Sequence, residues 1–203
     1  IRTNMLKNGK SLGDITKWLC EKFAIEAKII PVTDNTIETR VKTDEGEMHL
    51  QEFWVKHRGR NRVEGIQYIG SEKARPSPEA INAIQNSRLV IIAPANPYTS
   101  IGPILAIKAI RKELMKNRRK VVAISPIIGN AALSGPAAKY MESAGNEVSA
   151  YGVAKMYANI CSRIVIDTKD RMQTKKIEAL NMHVYDTKIR MTNKKTEDAL
   201  ASF

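Results

Sequence analysis

At 203 residues with 43% hydrophobic side chains, the chain can bury a real core and form one or two domains, which sets aside a disordered or fibrous protein. No apolar run approaches the roughly 20 residues of a membrane-spanning helix, and no secretory leader is expected from the opening Ile1-Arg2-Thr3-Asn4. The formal charge of +12, from 33 basic and 21 acidic residues, points either to anionic partners such as nucleotides, nucleic acid or lipid headgroups, or to a solvated Lys/Glu-rich surface. Cys20 and Cys161 have no metal-ligand spacing and form no disulfide framework, so a reducing cytoplasm is expected. The chain opens on Ile rather than Met, and is expected to continue upstream.

Ser11-Leu12-Gly13-Asp14 has capping-box spacing, and Ile15, Trp18, Leu19 and Phe23 give the helix after it an apolar face. Ala27 to Val32 reads as a buried strand. The period then changes to two: Thr36 to Thr43 alternates, Asp44-Glu45-Gly46 turns, and Glu47 to Val55 alternates again. Val63 to Ile69 adds a third strand, so residues 33–75 form a small antiparallel β insertion. Within it, Lys56-His57-Arg58-Gly59-Arg60-Asn61-Arg62 is a basic run. It reads as a solvated loop or as a phosphate contact; the aromatic residues, 5% of the chain, are not interleaved as a base-stacking surface requires. Pro76-Ser77-Pro78 marks a boundary, with Ser77 as N-cap and Pro78 at the first helical position.

From Ser77 onward helices and apolar strands alternate. Strands are expected near Leu89–Ala93, Val121–Ile124, Ile164–Asp167 and Met182–Tyr185. Helices are expected near Pro78–Asn86, Ile101–Lys116, Ser134–Ser143, Val153–Ile160, Asp170–Leu180 and Thr192–Leu200. This pattern implies an α/β fold with a parallel sheet covered on both faces, Rossmann-like and three-layered. Residues 1–32 and 76–203 make up its core, the latter being the nucleotide-binding part.

The loops at the strand ends carry the chemistry. Ala93-Pro94-Ala95-Asn96-Pro97-Tyr98-Thr99-Ser100-Ile101-Gly102 joins a buried strand to a helix. Such a loop presents backbone N–H groups to an anion; Thr99 or Ser100 is placed to cap the helix, and Gly102 allows a ligand close to the backbone. Ser125-Pro126-Ile127-Ile128-Gly129-Asn130 repeats the arrangement at the next strand, so the two loops are expected to share one crevice. Ser134-Gly135-Pro136 opens another helix, with Lys139 one turn in; it reads as an anion site or as an ordinary capped start. Asp167 and Asp170 are either magnesium ligands or a loop with an N-cap, the latter being the commoner use. His49, beside Gln51 and Trp54, is a pocket contact or a structural histidine. No Ser/His/Asp set and no Gly-x-Ser-x-Gly setting is present, so no nucleophile is assigned.

Asn96-Pro97-Tyr98-Thr99-Ser100-Ile101-Gly102-Pro103-Ile104, Ser125 to Asn130 and Ser134-Gly135-Pro136-Ala137 together strongly resemble the 2-phospho-L-lactate transferases of deazaflavin coenzyme F-420 biosynthesis. Met48 to Val55 with Arg58-Gly59 is similar to that family's insertion strand, and Arg2-Thr3 to the end of another of its motifs. The resemblance covers nearly all of the chain. It implies a cytoplasmic, homodimeric, magnesium-assisted enzyme. In the implied reaction the ribityl hydroxyl of 7,8-didemethyl-8-hydroxy-5-deazariboflavin attacks the lactyl-bearing phosphorus of lactyl diphosphoguanosine and GMP leaves.

On that resemblance Asn96, Thr99, Ser100 and Gly102 line the donor site. Ser125, Gly129 and Asn130 close it, and His49, Trp54, Ser134 and Gly135 are further substrate contacts. The family's glycine-rich phosphate loop, and the acidic residues that hold deazaflavin and metal, are not in this sequence, so the isolated chain is expected to lack turnover. Two other readings stand beside this one: a non-catalytic regulatory protein binding a uridine nucleotide-sugar, and a basic nucleic-acid-binding module whose affinity falls steeply with salt.

Overall fold

A computed structural model describes residues 1–132 and 135–202. Two helices, α1 (Arg2–Lys7) and α2 (Leu12–Lys22), open the chain. Ser11 caps α2 as expected: its hydroxyl accepts the Asp14 amide at 3.0 Å and donates to the Asp14 carboxylate at 2.8 Å, satisfying an orphan N–H of the first turn. The expected buried strand at Ala27 to Val32 does not form; residues 27–29 are exposed and the segment is irregular. A strand exists only through a neighbour's ladder. Here the contacts come instead from Ser77, whose amide donates to the Val32 carbonyl at 2.8 Å and whose hydroxyl donates to that of Pro31 at 2.8 Å.

Strands β1 (Glu38–Thr43), β2 (Gly46–His49) and β3 (Val63–Ile69) form an antiparallel sheet in the order β2-β1-β3, with Asp44-Glu45 as the turn of the first hairpin. The second alternating run stops at His49 rather than reaching Val55. A wide π-type helical turn over Glu52–Lys56 replaces it. After Met48 the next fully buried side chain is Phe53, five positions on, a spacing that alternation cannot supply and a helical turn can.

The remainder alternates: α3 (Pro78–Asn86), β4 (Val90–Ile92), α4 (Ile101–Ala106), α5 (Lys108–Lys116), β5 (Val121–Ile124), β6 (Ile127–Ile128), β7 (Ala131–Ala132), α6 (Ala137–Ser143), α7 (Ala150–Tyr157), β8 (Arg163–Asp167), α8 (Thr174–Glu178), β9 (His183–Thr187) and α9 (Lys194–Ala201). Ser77 caps α3 with Pro78 at its start. Strands β4, β5, β8 and β9 pair in that order, all parallel, so their carboxyl ends form one crest. The fold is α/β and Rossmann-like: a parallel sheet flanked by helices, with a small antiparallel sheet beside it. Val121, Ala123, Ile164 and Ile166 of the sheet pack with Ile110, Leu114, Val153 and Tyr157 of α5 and α7 in the main core; each large aliphatic side chain so buried contributes on the order of 1.5–3 kcal/mol.

Two predicted helices are divided. The run Ile101–Lys116 breaks at Ile107, whose extended backbone (φ −73°, ψ 103°) carries its side chain fully into the core. The run Asp170–Leu180 is a tight 3₁₀ segment, Thr168–Gln173, followed by α8. A second cluster of Val41, Met48, Phe53 and Val63 is completed by Tyr140 from α6, so α6 joins the antiparallel sheet to the main body.

Candidate functional site

The loop after β4 is organised by Asn96. Its side-chain oxygen accepts the amides of Tyr98 at 2.9 Å and Thr99 at 3.2 Å, and its carbonyl accepts those of Ser100 and Ile101, both at 3.1 Å. Asn96 therefore takes the part expected of a helix-capping hydroxyl: Ser100 occupies the position before α4 with no side-chain capping bond. An asparagine that satisfies two successive amides fixes the turn without a regular ladder. Tyr98 is held in turn by Asn146, which donates to its hydroxyl at 2.7 Å, and by Tyr68, which donates to its carbonyl at 2.6 Å. Burial pushes the Tyr98 phenol above its ordinary range.

Gly102 is buried, and its role differs from the one its sequence context suggests. A methyl group there would meet the Tyr68 hydroxyl, with the Pro97 carbonyl oxygen at 3.1 Å. The close neighbour is thus a tyrosine from β3, and the glycine serves the contact between the two sheets.

Asn96, Thr99 and Ser100 line a cleft of about 320 Å³ with Trp54, Pro126 and Gly135. Trp54, 38% exposed, follows Phe53 in the π-type turn and tilts against it, the ring centroids 6.1 Å apart. Gly59, at φ +64°, places its α-carbon under the indole, where a side chain would come within 3.0 Å of the ring. The wall behind is fixed by Tyr140, whose ring lies 6.3 Å from Phe53 and 6.2 Å from Tyr98; burial pushes its phenol up to about 12. Lys139, a phosphate-binding possibility from its spacing, donates instead to the Gly59 carbonyl at 2.6 Å.

The second strand-end loop is built differently from the expectation. Residues 127–132 form a hairpin in which Ile127 pairs with Ala132 and Ile128 with Ala131. Gly129 (φ +55°) and Asn130 (φ +62°) make its two-residue turn, the left-handed pair that tight hairpins require. The Ser125 hydroxyl, fully buried, donates to the Ile127 carbonyl at 3.0 Å and accepts its amide at 3.1 Å. The Gly129 amide donates to Asp170 at 3.1 Å. None of Ser125, Gly129 and Asn130 lines the cleft; Pro126 alone represents this loop there. His49 also lies outside it, its Nδ1 accepting the Gln51 amide at 3.0 Å, and Ser134 lies outside the described residues. Pro126 and Pro136 form walls of the cleft, although in the sequence they read as loop and helix-start residues rather than as ligand contacts.

Magnesium ligation by the Asp167–Asp170 loop does not fit the donor set. Asp167 accepts the amides of Lys169 at 3.0 Å and Ile189 at 3.2 Å, and Asp170 accepts from Gly129 and from Gln173 at 3.2 Å. Among the described residues no cluster of three or more His, Cys, Asp or Glu side chains is placed to hold a metal. Burial raises the Asp170 carboxyl above its ordinary 3.8. For an acid so raised, the folded state holds the proton more tightly than the unfolded chain. Its stabilising contribution is therefore complete below pH 3.8 and is lost as the pH rises through the elevated value. Asp170→Asn, which keeps the acceptor oxygen, should remove that pH dependence, so that the variant gains on the parent as the pH rises from about 3.5 towards 7 in urea unfolding. A difference between the two that does not change with pH would contradict it.

No helix among the described residues is long and apolar enough to cross a membrane. Solved structures share the fold. A Bacillus halodurans protein of the UPF0052 family superposes with a TM-score of 0.59 at 14% identity, covering 91% of this chain and 64% of that one, a likeness of fold alone. The family model for 2-phospho-L-lactate transferase CofD matches residues 1–200, and the chain belongs to that family. It is 41% identical over 201 residues to a 2-phospho-L-lactate transferase of Methanosarcina mazei, covering 99% of this chain and 66% of the relative. It is 44% identical over 181 residues to one of Methanocaldococcus jannaschii, covering 87% and 57%. The chain thus spans 66% or less of the length of these relatives.

Proposed function

We propose that this chain carries the donor-nucleotide site of a 2-phospho-L-lactate transferase in deazaflavin coenzyme F-420 biosynthesis. The supporting observation is convergence. Asn96, Thr99, Ser100 and Gly135 belong to segments that resemble the family's donor loops, and they line one cleft with Trp54 at the carboxyl end of a parallel sheet. That is where open α/β sheets bind ligands.

In this reading the ribityl oxygen of the deazaflavin forms a new bond to the lactyl-bearing phosphorus of lactyl diphosphoguanosine. The bond from that phosphorus to the oxygen of GMP breaks, and the hydroxyl proton is released. The cleft residues supply position rather than acid or base: Thr99 and Ser100 offer hydroxyl groups, and Trp54 offers a ring face for a planar heterocycle. Alignment of donor and acceptor carries most of the catalysis such a transfer needs. A homodimer in the cytoplasm, and a magnesium requirement to be measured by chelation, belong to the same reading.

The test is calorimetric titration with GDP, followed by assay of GMP release in a polypeptide of the relatives' full length that includes this chain. Saturable GDP binding weakened by Trp54→Ala, with GMP release that depends on deazaflavin, is the expected result. Preference for a uridine nucleotide-sugar without GMP release would replace the transferase with a regulatory protein. Salt-sensitive binding without base preference would point to nucleic acid.

A further inference from the structure

A second cleft of about 510 Å³ opens on the same crest, at the ends of β8 and β9. Ile128, Ala131 and Ala132 of the β6–β7 hairpin form one wall, and Lys169, Lys188 and Arg190 stand on the others. Its electrostatics differ in kind from those of the Asn96 cleft, whose lining holds no charged residue. Lys188 and Arg190, both exposed, flank Ile189, which is buried at 1% exposure, and both line the cleft. Among the described residues, none of the three cations has an acidic side chain within 4.0 Å. Some cations elsewhere are occupied, Arg171 with Asp186 at 2.6 Å, Lys176 with Glu147 at 2.8 Å, and Arg118 with the carbonyls of Ala158 and Asn181, both at 2.7 Å; what sets these three apart is that they line one cleft.

The one carboxylate in the cleft lining, Asp167, is turned to the Lys169 and Ile189 amides. Three cations thus face one carboxylate that backbone donors already engage. The amino end of the eight-residue α9 adds to this side: Thr196, one turn in, lines the cleft, and the capping box of Asn193 and Thr196 fixes the approach. The start of a helix favours negative charge.

We propose that this cationic cleft is an anion site of its own, distinct from the Asn96 cleft, and takes a small ligand bearing two or more phosphate groups. Three spaced cations suit several linked phosphates better than one, because each phosphate then meets its own charge-assisted donor. The volume lies within the ~300–1,000 Å³ of small-molecule sites. The assignment does not depend on the transferase reading.

Calorimetric titration of the chain with inorganic tripolyphosphate at physiological salt tests it. Neither Lys188 nor Arg190 is buried, so K188Q/R190Q should fold normally, with circular dichroism as the check. Saturable binding at one site per chain is expected, weakened about tenfold or more in K188Q/R190Q. It should stay within about twofold of the parent in R111Q/K112Q, which removes the same charge from the exposed face of α5. Three results would overturn the proposal: absence of saturable binding, equal losses in the two charge-removal variants, or a loss in Asn96→Ala without one in K188Q/R190Q. Repeating the titration with GTP separates the sources of phosphate. Tighter binding of GTP with the same dependence on Lys188 and Arg190 assigns a nucleotide, and equal binding assigns a free oligophosphate. Displacement of tripolyphosphate by a single-stranded oligonucleotide at lower concentration than by GTP would make the surface a nucleic-acid contact and end the small-ligand assignment.

Discussion

Gly102→Ala should unfold well below the parent, by roughly 5–15 °C, corresponding to a loss of about 2–4 kcal/mol in a chain of this size. The added methyl group would enter the space of the Tyr68 hydroxyl. Tyr68 must then shift, and its 2.6 Å hydrogen bond to the Tyr98 carbonyl is lost with it. That bond crosses from β3 to the loop that carries Asn96, so the damage reaches the cleft as well as the core. Tyr68→Phe alone gives up one hydrogen bond, about 1 kcal/mol. Combined with Gly102→Ala it should cost less than the two single changes added together, because the phenyl ring no longer brings the oxygen and only its ring edge, 2.6 Å from the added carbon, has to give. Additive losses in differential scanning calorimetry would show that Gly102 and Tyr68 do not share this contact.

Asn96 separates structure from binding through two substitutions. Asn96→Ala leaves the Tyr98 and Thr99 amides without their acceptor and should cost about 1–2 kcal/mol of stability. GDP binding should fall by roughly tenfold, equivalent to about 1.4 kcal/mol. Asn96→Asp keeps an oxygen acceptor at the same place, so its stability should remain within about 0.5 kcal/mol of the parent. Its GDP binding should nevertheless fall, because a carboxylate now faces an anionic ligand. If the Asn96→Asp chain binds GDP as the parent does, the diphosphate lies away from this loop. Titration calorimetry beside urea denaturation reads both quantities on the same protein.

The sequence was most legible where chemistry is local. Val121 to Ile124 is a short, fully apolar run, and it forms β5 with those bounds. Ser77 and Pro78 specify a helix start through their own side chains, and α3 begins there. Asp44-Glu45 makes the expected turn. Legibility failed where a distant partner decides. Ala27 to Val32 has the composition of a strand but no ladder to join. Phe53 is buried and Trp54 exposed because the chain leaves β2 in a helical turn rather than continuing the alternation expected to Val55, with Tyr140 packed against Phe53. Ile101 to Lys116 keeps one helical period across Ile107, yet the core draws that residue in and divides the helix.

The candidate site follows the same rule. Thr99, Ser100, Asn96 and Gly135 stand out by residue type and do meet in the cleft. Ser125, Gly129 and Asn130 share that chemistry but spend it on a hairpin; their Gly-Asn pair between apolar residues is a hairpin signal in its own right. The Lys169, Lys188 and Arg190 cleft escaped sequence reading because its cations come from two strand ends some twenty residues apart, in a chain where basic residues are common.

The break at Ile107 makes the molecule modular. On one side α5 drives Ile110 and Leu114 into the core; on the other α4 fully buries only Gly102, rests Ile101 and Leu105 half-buried against the same core, and continues the loop that Asn96 winds. A continuous helix would couple every adjustment of the cleft wall to the packing of the sheet. With the two pieces joined at a single anchored residue, the outer face of α5 is set apart from the cleft wall, whereas Gly102 and Asn96 on the α4 side serve packing and cleft together. Substitutions on the outer face of α5 can then accumulate without being felt at the cleft, which leaves the binding wall free to diverge on a constant frame.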